Sequence, residues 1–174
     1  MMTVRPRDVM ASVLLAGVVL SCSRSNQGQE TWERVLTADS LTLERSHCFG
    51  TCPAYRLRVA RSGSVLFVSR NADDSGRTAT DSVSAQTYIQ LLNRAQEGQL
   101  LDLPDRIEGD PRFCAVRATD FPTATVTIFM PGLIKRVEDD HGCAWTPAAL
   151  RDFERAVDQV LGSERWVRPA RQRP

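Results

Sequence analysis

Five cysteines and two histidines carry most of the reactive chemistry in this 174-residue chain. His47 directly precedes Cys48-x-x-x-Cys52-Pro53, and His141 is one residue removed from Cys143. Soft thiolates suit Cu(I), and imidazole suits copper or zinc. His47, Cys48, Cys52 and His141 could therefore serve a metal-binding or thiol-redox protein. A second chemistry is written in Glu138-Asp139-Asp140-His141-Gly142-Cys143, where an acid could orient a histidine base beside a cysteine nucleophile. No serine or cysteine motif with nucleophile spacing supports it. The plainer reading is a loop with a bridged cysteine and a solvated acidic end. A third is calcium ligation by Asp102, Asp105, Glu108 and Asp110, but their spacing does not match the EF-hand loop.

Which chemistry the cysteines perform depends on compartment, and the first 22 residues address that. Arg5 and Arg7 give a basic start, Val9 to Leu20 is almost wholly apolar, and Ser21-Cys22 supplies a small residue followed by a thiol. About a dozen apolar residues is short for a membrane span and suits a signal-peptide core. The expected arrangement is a lipoprotein signal peptide over residues 1–21, with Cys22 carrying lipid. Residues 22–38 follow as a polar tether. Two or three acyl chains on one cysteine anchor stably where a single chain is marginal. Ser23 after Cys22 points to the outer membrane, in a cell that has one. The expected location is the cell envelope, with the membrane engaged through the N-terminal lipid.

Cys22 so used leaves Cys48, Cys52, Cys114 and Cys143, an even number in an oxidising compartment. Three pairings exist, and Cys48–Cys52 with Cys114–Cys143 is the favoured one. Their loops are worth about 2 and about 3.5 kcal/mol in the chain-entropy model. Charge narrows the partners. The chain has 22 basic and 21 acidic residues; cleavage before Cys22 removes Arg5, Arg7 and Asp8 and leaves 20 of each. A neutral chain lacks the basic surplus of a general nucleic-acid binder.

The elements that must position these residues follow from periodicity. Leu41 to Glu44 alternates like a half-buried strand. Tyr55, Leu57 and Val59 alternate with Arg56 and Arg58, and Val65 to Val68 returns across Ser62-Gly63 as a hairpin partner. Arg56 and Arg58, with Arg45, are expected to form a basic strip on an exposed sheet face. Thr78 to Val83 reads as another strand. A helix then starts at the N-cap Ser84, presents Tyr88, Leu91, Leu92 and Ala95, and stops at Gly98. Leu100 to Gly109 is an irregular acidic connector. Thr123 to Phe129 and Leu133 to Glu138 form a hairpin across Pro131-Gly132, a pair suited to a type II turn. That turn sets Val126 opposite Val137. A last helix is expected from Thr146 as cap, with Trp145 stapled to Leu150. Leu150, Phe153, Val157, Val160 and Leu161 would line its apolar side, and Gly162 would end it. The fold class is α+β, in the order β-ββ-β-α-ββ-α, an antiparallel sheet built from hairpins with two helices on one face. One domain spans residues 39–168, and residues 169–174 form a flexible tail.

Cys48-Phe49-Gly50-Thr51-Cys52-Pro53-Ala54-Tyr55 resembles a bacterial lipoprotein-like family, the domain of unknown function six-four-three-eight, in its C-x-G-x-C-P-x-Y motif ahead of a strand. Gly63-Ser64-Val65, Asp120-Phe121-Pro122-Thr123 and a final helix over Leu150 to Asp158 with Trp166 beyond are similar too. The likeness covers roughly residues 40–167. It implies domain limits and brings no activity with it. Cys48 to Pro53 is also similar to the C-x-x-x-C-P of periplasmic copper chaperones, in which two thiolates and a distant histidine hold copper. That likeness implies cysteines on a strand-to-helix turn. Here Pro53 leads into Tyr55-Arg56-Leu57-Arg58-Val59, which is patterned as a strand.

The sequence therefore leads to an envelope lipoprotein with a non-enzymatic binding or structural domain. Its expected partner is an envelope protein or wall component, and no cofactor is expected. The alternative is a periplasmic copper- or zinc-binding or thiol-redox protein using Cys48, Cys52 and either His47 or His141.

Overall fold

Four alternating segments and one long hairpin assemble into a single sheet. The computed structural model describes residues 33–167. The signal segment, Cys22, the start of the tether and the C-terminal tail lie outside the described residues. The strands are β1 (Ser40–Arg45), β2 (Tyr55–Ala60), β3 (Ser64–Ser69), β4 (Thr78–Ser82), β5 (Thr123–Met130) and β6 (Leu133–Asp140). Helix α1 (Ala85–Glu97) follows β4, and α2 (Ala148–Leu161) follows β6. The sheet runs β4-β3-β2-β1-β5-β6 with every neighbouring pair antiparallel. The fold is α+β in the expected element order.

Strands β2 and β3 bury alternate residues, β1 and β5 also bury small polar or alanine positions between their apolar ones, and the edge strand β4 buries none. Leu41 and Leu43 of β1, Leu57 and Val59 of β2, Val65 and Phe67 of β3, and Val126 and Ile128 of β5 point to the same side. There they meet Tyr88, Leu91 and Leu92 of α1 and Leu150, Phe153, Val157 and Leu161 of α2 in one core. Met130 lies opposite Leu133 and Val126 opposite Val137, the register that a two-residue Pro131-Gly132 turn demands. Gly132 has φ +72°, as the third position of a type II turn requires. Ser84 caps α1 by accepting the Thr87 N–H, and Gly162 ends α2 in the left-handed conformation at φ +63°.

Several local expectations are corrected. Gly98 ends α1 as expected, and the left-handed residue is the one after it, Gln99, at φ 53°. Thr146 does not cap α2, which begins after Pro147 without a side-chain cap. Its hydroxyl donates instead to Asp139 Oδ1, at 2.8 Å. Trp145 is 57% exposed and Val160 38%, so neither joins the apolar face. Val35 and Ala38, in the stretch expected to be tether, are fully buried, and Tyr88 Oη donates to the Ala38 carbonyl at 2.8 Å. The packed body therefore takes in chain ahead of residue 39.

The topology gathers four connectors at one end of the sheet: residues 46–54, 70–77, 118–122 and 141–147. Both disulfides and both histidines lie in or beside them. At this end β5 and β6 leave register. Asp120 takes a left-handed conformation at φ 72°, and Cys143 bridges to Arg117 rather than to residue 120, as continued hairpin register would have it. Segment 105–107 lies along the outer edge of β6, exchanging backbone hydrogen bonds with Glu138 at 2.9 Å, which blunts that edge.

Candidate functional site

Strand register builds a polar row across the loop end of the helix-covered face. Tyr55 pairs with Arg45, Arg45 with Ala124, and Ala124 with Asp139. Directly opposite residues share a face, so the four side chains run across β2, β1, β5 and β6 toward α2. Helix α2 answers with Arg151, Glu154 and Asp158, spaced three and four residues apart on one stripe. This stripe flanks the apolar one made by Leu150, Phe153, Val157 and Leu161.

Two linked centres result. In the first, the Arg45 guanidinium donates from Nε (2.8 Å) and a terminal nitrogen (2.7 Å) to Asp158 Oδ2. Tyr55 Oη and Ser163 Oγ donate to Asp158 Oδ1 at 2.6 and 2.8 Å. Burial alone lowers the Arg45 pKa, but Asp158, Tyr55 and Glu154 outweigh it and raise the net value. Burial also raises the Tyr55 phenol, and the Asp158 charge adds to that. Arg45 therefore stays charged and Tyr55 stays a neutral donor. In the second centre, His141 Nε2 lies 2.9 Å from Glu154 Oε2 and 3.6 Å from Asp139 Oδ2. Arg45 reaches Glu154 Oε2 at 3.5 Å, and Arg151 Nε donates to Asp139 Oδ2 at 3.1 Å. Arg151 also donates to the Cys143 carbonyl at 2.9 Å, tying the centre to the disulfide loop.

Sequence reasoning missed most of this site. Arg45 was expected on a basic strip with Arg56 and Arg58, but it lies on the opposite, helix-covered face. The acidic end of β6 was expected to be solvated, yet Asp139 is 0% and Asp140 7% exposed. Glu154, only 1% exposed, sits in the helix without drawing notice as a charge among apolar neighbours.

The singled-out residues fall elsewhere. Cys48 and Cys52 are bridged, as are Cys114 and Cys143, the pairing favoured above. A disulfide offers no thiolate, so neither pair is a Cu(I) site in this form. Pro53 leads into β2 and not into a helix, so the thioredoxin-like turn is absent there. His47 Nε2 contacts the Arg70 carbonyl at 2.9 Å, while His141 meets carboxylates, so the two histidines serve different environments. Cys143 has no free sulfur to act as nucleophile, although the acid-oriented histidine exists. Asp105, Glu108 and Asp110 are taken up by Lys135, Arg117 and Arg112 respectively. Arg112 holds the Asp110 carboxyl below its usual range. Among the described residues, one group brings three metal-type ligand atoms together: Asp139, His141 and Glu154, all within 4.8 Å of one another.

A helix-covered antiparallel sheet with two bridged loops and a buried polar row defines a disulfide-braced α+β domain. Residues 39–161 match the family model described as Domain of unknown function (DUF6438), and the chain belongs to that family. No curated protein matches it.

Proposed function

We propose that the protein is a lipid-anchored envelope protein whose domain is a non-enzymatic binding module for a protein or wall component. The observation that carries this reading is the pair of disulfides, because such bonds persist in oxidising compartments and are rare in a reducing cytosol. Cys22, directly after the apolar run, supplies the anchor. The tether lets the domain stand off the membrane.

The binding surface is the loop end of the bare sheet face. A cleft of about 550 Å³ opens there, lined by Glu44, Ser46, His47, Arg70, Ser75 and Thr125 among others. Glu44 is paired with Arg56 at 3.0 Å and Arg70 at 3.4 Å, so the cleft carries both signs of charge and several hydroxyls. Such a lining favours hydrogen bonding to an extended polar chain over capture of a strongly charged ligand. Phe49, two residues beyond the cleft residue His47 in the bridged connector, is 89% exposed, and its N–H donates to the Asp120 carbonyl (3.2 Å), next to exposed Phe121. Exposed aromatics on a bridged loop give contact area at low entropic cost.

Anchoring is tested with Cys22→Ala. The variant should lose the acyl mass and leave the detergent phase while its domain stays folded. Unchanged partitioning overturns the anchor. Binding is tested by co-sedimentation with purified wall sacculi and by cross-linking in intact cells. Phe49→Ala with Arg70→Ala should weaken capture about tenfold, roughly 1.4 kcal/mol. Capture unaffected by both changes removes the cleft from the reading.

A further inference from the structure

We propose that Asp139, His141 and Glu154 bind one divalent transition-metal cation of the zinc class, at the junction of β6, the 141–147 loop and α2. The site contains no cysteine and does not rest on lipid anchoring or on the cleft. Zinc bonds nitrogen and carboxylate oxygen at about 2.0–2.2 Å, so tetrahedral ligand atoms stand roughly 3.4 Å apart. His141 Nε2 is 2.9 Å from Glu154 Oε2 and 3.6 Å from Asp139 Oδ2, on either side of that spacing. The Asp139–Glu154 separation lies within 4.8 Å and needs only side-chain closure. One imidazole and two carboxylates suit zinc and leave a fourth position for water.

A second observation is independent of the spacing. Glu154 Oε1 is buried and, among the described residues, has no hydrogen-bond partner. A buried carboxylate oxygen without a partner is costly, and native proteins seldom leave one unexplained. A cation that takes Oε1 together with Oε2 supplies the missing interaction. Charge count agrees. Asp139, Glu154 and Asp158 bring three negative charges against the two positive charges of Arg45 and Arg151, which leaves one negative charge when His141 is neutral, as ligation requires. Thr146 and Arg151 hold Asp139 in place, as outer-shell groups around metal sites do. His141 keeps 24% of its side chain exposed and gives the ion a way in.

The test uses the mature chain with Cys22→Ala for solubility, both disulfides intact, stripped with chelator and titrated with Zn²⁺. The expected result is one equivalent bound, with a rise in melting temperature. His141→Ala and Glu154→Gln should each weaken binding more than about 100-fold, and Thr146→Val about tenfold, the scale of an outer-shell loss. His47→Ala should change nothing. Because a cluster variant could fail to fold, nitrogen NMR of the parent supplies a second readout. The chain has two histidines, so His47→Ala assigns them. Zinc should shift the His141 ring nitrogens and leave those of His47 in place. No saturable binding, binding insensitive to His141→Ala and Glu154→Gln, or an unmoved His141 ring signal overturns the proposal.

Discussion

Removing the Cys114–Cys143 bridge should cost more than removing Cys48–Cys52, and the structure sets the size of the difference. The sequence separations are 29 and 4, so the bridges close loops of 30 and 5 residues. In the chain-entropy model these are worth about 3.6 and about 2 kcal/mol. Both Cα–Cα spans, 4.8 and 5.5 Å, lie within the ordinary range, so no strain discounts either figure. Packing works in the same direction. Cys143 is in the core and Cys114 packs against it, whereas the connector of Cys48–Cys52 is largely exposed. With an unfolding entropy of about 2.1 cal/mol/K per residue over roughly 135 residues, the two losses become about 13 and about 7 °C in Tm. The variants are Cys114→Ala/Cys143→Ala and Cys48→Ala/Cys52→Ala, compared by thermal melts and urea titration. The first should also show a larger urea m-value, because its unfolded chain is released over a longer loop. If the Cys48/Cys52 variant melts at or below the other, or if the Cys114/Cys143 variant stays within 1 kcal/mol of the parent, the entropic account of these bridges is wrong.

Other perturbations bear on the polar row and on the connector. The only two tyrosines have raised pKa values, Tyr88 to about 12 by burial, with Asp39 adding and Arg61 opposing. A folded value above the unfolded value of about 10 favours the neutral phenol, so that stabilisation is complete below pH ~10 and is lost as pH rises toward 12. Tyrosinate absorbance should stay low in the folded protein at pH values that ionise it in denaturant; a folded midpoint near 10 refutes this. Arg45→Met strips Asp158 and Glu154 of their shared cation and should destabilise by about 3 kcal/mol in a urea melt, as breaking a buried pair does; a loss under 1 kcal/mol refutes the pairing. A Cβ on Gly142 would lie 2.1 Å from the Ala118 carbonyl oxygen, so Gly142→Ala should cost about 2–3 kcal/mol by pushing apart the hydrogen-bonded segments 116–118 and 142–144; an unchanged Tm would contradict that contact.

The fold was legible wherever burial is one-sided. Period-two alternation in Tyr55 to Val59 and the paired runs about Pro131-Gly132 admit one register each, because a slip of one residue exposes the whole apolar set. Caps at Ser84 and Gly162 marked their helix ends for local reasons. The start of α2 misled because a threonine before a proline has the form of a cap. Its hydroxyl donates to the buried Asp139 carboxylate and accepts from the Arg151 guanidinium at 3.1 Å, and such charge-assisted bonds outweigh a cap on a backbone N–H that water can satisfy. What no local pattern could supply is that β5 pairs with β1. That pairing joins two hairpins across more than 60 residues of intervening chain and sets the order of the sheet.

The site shows how much of the remainder hid in plain parity. Arg45 follows Leu41 and Leu43 at steps of two, so the alternation that buries those leucines turns Arg45 to the same face. Asp139 stands in the same relation to Val137. Each charge was read by its type, as a solvated group, when its position in the alternation already placed it toward the helices. Glu154 and Asp158 repeat the lesson in helical spacing, since both flank Phe153 and Val157. A charge in phase with a buried face needs a partner of opposite sign, and among the described residues the polar row holds three acids and two arginines. Their count leaves one negative charge over. The strand order brings these groups together around His141 and not at the exposed cysteine loop, where the motif had drawn attention. The conspicuous cysteines are therefore used up in shaping the loops. The chemistry that remains is in carboxylates and an imidazole whose approach required the β1–β5 pairing to become visible.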